Sequence, residues 1–208
     1  MTAPGPSATT RPMIYLLRHG QTEYNAEGRY QGRAESSLTE RGRAQALAYA
    51  AALKPRVRAS ECVILSSPLS RARQTAAIVG EALGGAPVVV EPDLTELSLG
   101  AWEGRTAAEI DAGWPGARDA VPRNMWFFHA PDGEDLASAT RRVGRALAAA
   151  GARPEPVRIL VSHAVVGRLL RGIYLGLDPL KAARLEIPQE AFFALSGEGV
   201  IERIACPG

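Results

Sequence analysis

Chemistry in this chain gathers where apolar runs end. Met13–Leu17 leads into Arg18-His19-Gly20, Cys62–Leu65 leads into Ser66-Ser67-Pro68 and then Arg71, and Val157–Val161 leads into Ser162-His163. An arginine fork matches the oxygens of a phosphate better than any other side chain. An imidazole, with an unperturbed pKa of about 6.5, is partly neutral at pH 7 and can therefore act as a nucleophile. The remaining histidine, His129, lies in an irregular stretch, where a structural or solvent role is expected. No histidine pair has a metal-ligand spacing such as His-x-x-x-His, and no Gly-x-x-x-x-Gly-Lys loop is present, so neither a metal nor a nucleotide cofactor is expected.

The elements that must position these groups follow from the hydrophobic pattern. The three runs, and a fourth at Val88–Val90, are short and aliphatic, which suits buried strands. Helical patterns lie between them. Thr39 is expected to cap a helix running to about Lys54. Ser67 and Pro68 read as N-cap and first helical position of another, ending near Leu83. Further helices are expected from about Gly133 to Gly151 and from just after His163 to about Gly176. Ala191–Leu195 and Val200–Ile204, split by Ser196-Gly-Glu-Gly199, read as a hairpin. The alternation predicts an α/β three-layer sandwich: a mostly parallel central sheet, helices on both faces and an antiparallel C-terminal strand. Ligands of such sheets bind beyond the carboxyl ends of the strands, which is where His19, His163, Arg18 and Arg71 fall. The stretch 104–131 has weak periodicity and the cluster Trp126-Phe127-Phe128; it reads as a lid or substrate-shaping insert, or as irregular packing.

Composition narrows the classes. The length of 208 residues suits one compact domain, taken as 12–208 behind a disordered tail over 1–11. Hydrophobic residues at 46% are enough to build a core, and a net charge of +2 gives no argument for a nucleic-acid partner. The N-terminal stretch lacks the apolar segment of a signal peptide, and no run approaches the roughly 20 residues of a membrane helix. Two cysteines, Cys62 and Cys206, make no disulfide framework. A cytoplasmic protein with no membrane partner is expected. Oligomeric state is left open, a homodimer included.

Leu17-Arg-His-Gly-Gln-Thr-Glu-Tyr-Asn25, Gly28-Arg-Tyr-Gln-Gly32 and Leu38-Thr-Glu-Arg-Gly42 together resemble the histidine phosphatase superfamily, also called the phosphoglycerate mutase-like family. Ser66-Ser-Pro-Leu-Ser-Arg-Ala-Arg-Gln-Thr75, Leu94-Thr-Glu-Leu-Ser-Leu-Gly-Ala-Trp-Glu-Gly104, Pro131-Asp-Gly-Glu134 and Val161-Ser-His163 resemble its later blocks in the same order. A lone Arg-His-Gly occurs by chance; the ordered set spans nearly the whole chain.

The resemblance implies a phosphatase of small phosphomonoesters that works through a phosphohistidine, without a cofactor or metal. It makes His19 the nucleophile, which splits a very slow hydrolysis into two displacements. Arg18 and Arg71 would grip the phosphoryl oxygens, and His163 would complete the pocket. Glu96 matches the position of the general acid, with Glu103, Glu23 and Glu134 as alternatives. Asn25, Gln31 and Gly32 look like phosphate or substrate contacts. A small phosphorylated metabolite is the expected partner.

The chain departs from the family pattern at Gln21 for glutamate, Ala164 for glycine and Asp135 for serine. None of these removes a group assigned to chemistry. A phosphoglycerate mutase is the main rival. The mutases carry a lysine shortly after the acid and then an arginine pair. Here Gly104-Arg-Thr-Ala-Ala108 has no lysine, and no adjacent arginines occur between Arg105 and Arg123. A non-catalytic phosphate-binding module would be marked by loss of His19, Arg71 or His163, and all are present.

Overall fold

The computed structural model describes residues 12–122, 124–197 and 199–206, so the expected tail over 1–11 lies outside the described residues. The strands are β1 (Met13–Arg18), β2 (Cys62–Ser66), β3 (Val88–Val90), β4 (Val157–Ser162), β5 (Ala191–Ser196) and β6 (Val200–Ala205). The helices are α1 (Glu23–Ala26), α2 (Glu40–Leu53), α3 (Ser70–Ala82), α4 (Ala107–Gly113), α5 (Leu136–Gly151), α6 (Ala164–Tyr174) and α7 (Pro179–Ala182). The strands form one sheet in the order β3-β2-β4-β1-β5-β6. β1, β2, β3 and β4 pair in parallel, while β5 is antiparallel to both β1 and β6.

The inner strands read as unbroken apolar runs because both faces of the sheet are covered. Ile14 and Leu16 of β1, with Val63, Leu65 and Leu160, pack against Val143 of α5 and Leu169 of α6. Tyr15 and Leu17, with Ile64, Ile159 and Val161, pack against Tyr49 of α2 and Ala76 of α3. Each side chain alternates face as strand geometry requires. Truncating a wholly buried member such as Leu160 costs about 2–5 kcal/mol by large-to-small core precedent.

Thr39 caps α2 as expected, accepting a hydrogen bond from Gly42 N at 3.1 Å. Three expectations are corrected. Val88–Val90 is an edge strand, 42%, 37% and 47% exposed, because β2 pairs it on one side and no strand among the described residues pairs it on the other. Local composition cannot distinguish an edge from a centre. Ser67 does not cap α3: its N–H donates to Val161 O at 3.0 Å, continuing the sheet ladder, so the helix begins at Ser70 with Leu69 as N-cap. α5 starts at Leu136 rather than near Gly133, since Asp135 is its cap and accepts from Ser138 N at 2.8 Å. The stretch 104–131 holds α4 and a one-turn 3-10 segment, Trp126–His129.

Candidate active site

Register brings the histidines together. β1 and β4 are neighbours, and Arg18 at the end of one lies beside Ser162 at the end of the other. The next residues are His19 and His163, whose ring centroids are 5.1 Å apart. β2 flanks β4, so Ser67 lies on the same edge, and its Oγ is 2.7 Å from His163 Nε2. His163 occupies the N-cap position of α6, but its side chain makes no capping bond.

His19 Nδ1 is 2.7 Å from Gly20 O. A carbonyl only accepts, so Nδ1 carries the proton and Nε2 keeps its lone pair. Gly20 is held in turn: its N–H donates to Thr75 Oγ1 at 3.1 Å, and that hydroxyl donates to Arg71 O at 2.8 Å. Burial, followed by the charges of Arg18 and Arg71, holds the His19 pKa well below the ordinary histidine value. His163 is lowered likewise, by burial first and then by Arg71, His19 and Arg18. Both rings are therefore neutral at pH 7.

Arg71 is 1% exposed, yet pairs with no carboxylate among the described residues. Its Nη1 and Nη2 donate to Ala34 O at 2.8 Å and Gly32 O at 2.7 Å. Burial lowers its pKa, with Glu96 the largest opposing influence. The Nε atoms of Arg18 and Arg71 are buried without a partner among the described residues. Buried donors of this kind are costly unless something accepts from them.

A cavity of about 960 Å³ opens over these groups. His19, Arg18, Arg71, Glu96, Asn25, Gln31 and Gly32 all line it. His163 does not; it stands behind His19, 1% exposed. Asn25 Oδ1 accepts from Thr22 N in the capping box of α1, which leaves its amide nitrogen for the cavity. Gln31 Oε1 is buried and has no hydrogen-bond partner among the described residues. Gly32 has φ +54°, and a Cβ there would lie 2.6 Å from Glu103 Oε1, so this position is closed to larger residues.

Of the four candidate acids, Glu96 alone lines the cavity. Its carboxylate rests on the N-terminus of α6, accepting from Val165 N at 3.2 Å and Val166 N at 3.3 Å. Glu103 instead binds Arg33 N and Leu99 N, both at 3.0 Å, and latches two loops together. Glu134 is paired with Arg142, at 2.6 Å, and with Arg33. Glu23 is exposed in the first turn of α1. His129 is exposed as well and is not part of the cavity.

Sequence reasoning missed several contributors. Ser67 and Thr75 orient His163 and Gly20 through side-chain bonds that no linear pattern announces. Tyr30, Arg118, Trp126 and Arg168 also line the cavity. Arg168 had a signal: it stands four residues after Ala164 on α6, hence on the same helical face.

A model of the histidine phosphatase superfamily (branch 1) matches residues 14–200. The chain is 39% identical over 194 residues to a glucosyl-3-phosphoglycerate phosphatase of Mycobacterium tuberculosis, covering 89% of this chain and 81% of the relative. It is 35% identical over 176 residues to an Enterobacter protein named "Probable phosphoglycerate mutase GpmB", covering 84% and 80%. Among solved structures, a mycobacterial glucosyl-3-phosphoglycerate phosphatase complexed with VO3 superposes with a TM-score of 0.75 at 33% identity, over 94% of this chain and 98% of that one. The alpha-ribazole phosphatase of Shigella flexneri superposes with a TM-score of 0.79 at 26% identity, over 94% and 96%.

Proposed function

This chain belongs to the histidine phosphatase superfamily, and from that premise we propose that it hydrolyses small phosphomonoesters through a phosphohistidine on His19. The observation that carries the reading is the tautomer of His19. Its Nδ1–H is tied to Gly20 O, so the Nε2 lone pair is free beside two guanidinium groups.

In the first displacement His19 Nε2 bonds to phosphorus as the ester P–O bond breaks. Arg18 and Arg71 hold the equatorial oxygens, where charge redistributes in the transition state. Glu96 gives its proton to the departing alkoxide, which leaves as the alcohol. In the second displacement the Glu96 carboxylate takes a proton from water. The resulting oxygen bonds to phosphorus, the P–N bond breaks, and inorganic phosphate departs. His163, neutral and held by Ser67, backs the phosphoryl position. Names of relatives support a hydrolase: the mycobacterial protein is named a glucosyl-3-phosphoglycerate phosphatase, and the Shigella one an alpha-ribazole phosphatase.

A cytoplasmic setting belongs to the same reading. Cys62 and Cys206 are free thiols, which fits a reducing compartment, and no helix among the described residues is long and apolar enough to cross a membrane.

The test compares two rates on one preparation: phosphate release from several monoesters, and interconversion of 3- and 2-phosphoglycerate with and without 2,3-bisphosphoglycerate. Release is expected to dominate. Isomerisation exceeding release by about tenfold, roughly 1.4 kcal/mol in barrier, replaces the hydrolase by a mutase. Brief incubation with substrate is also expected to leave an acid-labile, base-stable phosphate on the protein that His19→Ala abolishes.

A further inference from the structure

No step of the two displacements uses the block Pro131-Asp-Gly-Glu134. Yet the side chain of Glu134 is only 10% exposed, and arginines engage both of its oxygens. Arg142 Nε donates to Oε1 at 2.9 Å and Arg142 Nη2 to Oε2 at 2.6 Å. Arg33 Nη2 adds a third bond, to Oε2 at 3.1 Å. A forked pair of this kind fixes the orientation of the guanidinium as well as its position.

The same two arginines point their remaining donors at the segment that carries Glu96. Arg142 Nη1 donates to Asp93 O at 2.8 Å and to Thr95 O at 2.7 Å. Arg33 Nε donates to Glu96 O at 3.2 Å. Ser162 Oγ, at the end of β4, donates to Leu94 O at 2.9 Å. The four consecutive carbonyls of residues 93–96 thus each accept from a side chain. This segment belongs to no strand, so no sheet ladder fixes it. Side-chain donors take over the backbone pairing that a ladder would supply. The backbone at residue 96 in turn decides where its carboxylate lies, beside the cavity and against Val165 N and Val166 N.

Building on the phosphatase reading above, we propose that Glu134 is a positioning residue for the general acid: through Arg142 and Arg33 it fixes the backbone of residues 93–96 and so aims Glu96 at the leaving oxygen. Glu134 itself transfers no proton. Proton transfer needs its two heavy atoms within about 2.6–3.2 Å, and a misplacement of about 1 Å can cost on the order of 10²-fold. Loss of the clamp is therefore felt by esters with a basic leaving oxygen and spared by those without one.

The experiment compares glycerol 3-phosphate with p-nitrophenyl phosphate in Glu134→Gln and Arg33→Met. Both variants are expected to lower kcat on the alkyl ester by about tenfold with KM little changed. Turnover of p-nitrophenyl phosphate is expected to fall by less than about twofold. In a Glu96→Gln background the same substitutions are expected to add no further loss on the alkyl ester. Equal losses on the two esters, or a full additional loss in Glu96→Gln, overturn the inference and assign Glu134 to the fold alone. Breaking a buried ion pair on one side can prevent folding. If Glu134→Gln does not fold, Arg33→Met decides, because Arg33 is 43% exposed and its removal leaves the Glu134–Arg142 pair in place. Hydrogen exchange gives a reading without turnover. The Val165 and Val166 amides are expected to exchange about tenfold faster in Arg33→Met, with those of Leu169 and Leu170 unchanged. Unchanged exchange at Val165 and Val166 overturns the inference. A wild-type protein that releases no phosphate from either ester sinks the phosphatase reading, while faster exchange at these two amides would still sustain the clamp on Glu96.

Discussion

The bond from His19 Nδ1 to Gly20 O does two things at once: it aims the ring and selects the tautomer that the proposed attack on phosphorus requires. The surrounding burial and guanidinium groups keep the ring neutral by lowering its pKa. The acid limb of kcat/KM, which reports the free enzyme, is therefore expected well below pH 6.5. A rate already halved at pH 6.5 would contradict this. Stability should follow the same groups. Unfolded histidines protonate near pH 6.5 while folded His19 and His163 do not, so the unfolded state binds more protons as pH falls. Stability is full above that value and lost below it, by up to about 1.4 kcal/mol per pH unit for each histidine until its folded pKa is reached. Urea midpoints at pH 7.5 and 5.5 check it, with His163→Gln expected to flatten the dependence. For Glu96, the leaving group is the discriminator. Glu96→Gln is expected to cut turnover of alkyl phosphates by on the order of 10²–10⁴, and of p-nitrophenyl phosphate much less. Equal losses on the two would remove Glu96 as the acid.

At the scale of elements, the placement of His19, the proposed nucleophile, depends on a backbone-to-backbone contact. A Cβ on Gly20 would lie 2.2 Å from Gly42 O, and one on Gly42 would lie 2.0 Å from Gln21 O. The segment after β1 thus packs directly on the first turn of α2, and only glycines allow it. Gly42→Ala is expected to destabilise the protein by about 1–3 kcal/mol, as overpacking does, and to lower kcat because Gly20 must move with its bond to His19. A urea midpoint unchanged from wild type would refute that packing argument. The departure at Asp135 is silent by the same kind of reasoning. Its side chain accepts from Ser138 N as the N-cap of α5, a task that serine performs equally well. β3 shows the opposite case, where an apolar run ended at an exposed edge.

Across the whole molecule, charge is the organising quantity. The cavity is lined with guanidinium groups, and no cluster of metal-ligating side chains occurs among the described residues. Turnover is expected to survive exhaustive chelation. Loss with EDTA and recovery on adding Mg²⁺ or Zn²⁺ would show that a cation, rather than Arg18 and Arg71, meets the phosphoryl charge. What the sequence by itself determined was the carboxyl-edge location of His19, Arg18, Arg71 and His163, since a short apolar run ends where its strand ends. The α/β class was legible for the same reason, and so was the C-terminal hairpin. Only the tertiary structure shows which of the carboxylates faces the cavity. Glu96 and Glu103 are seven residues apart with the same chemistry, yet one faces the cavity from the N-terminus of α6 and the other latches two loops. The tertiary structure also decided the partners of the histidines and the edge placement of β3. Each of these depends on which distant segment arrives opposite a residue, and spacing along one chain carries no record of that.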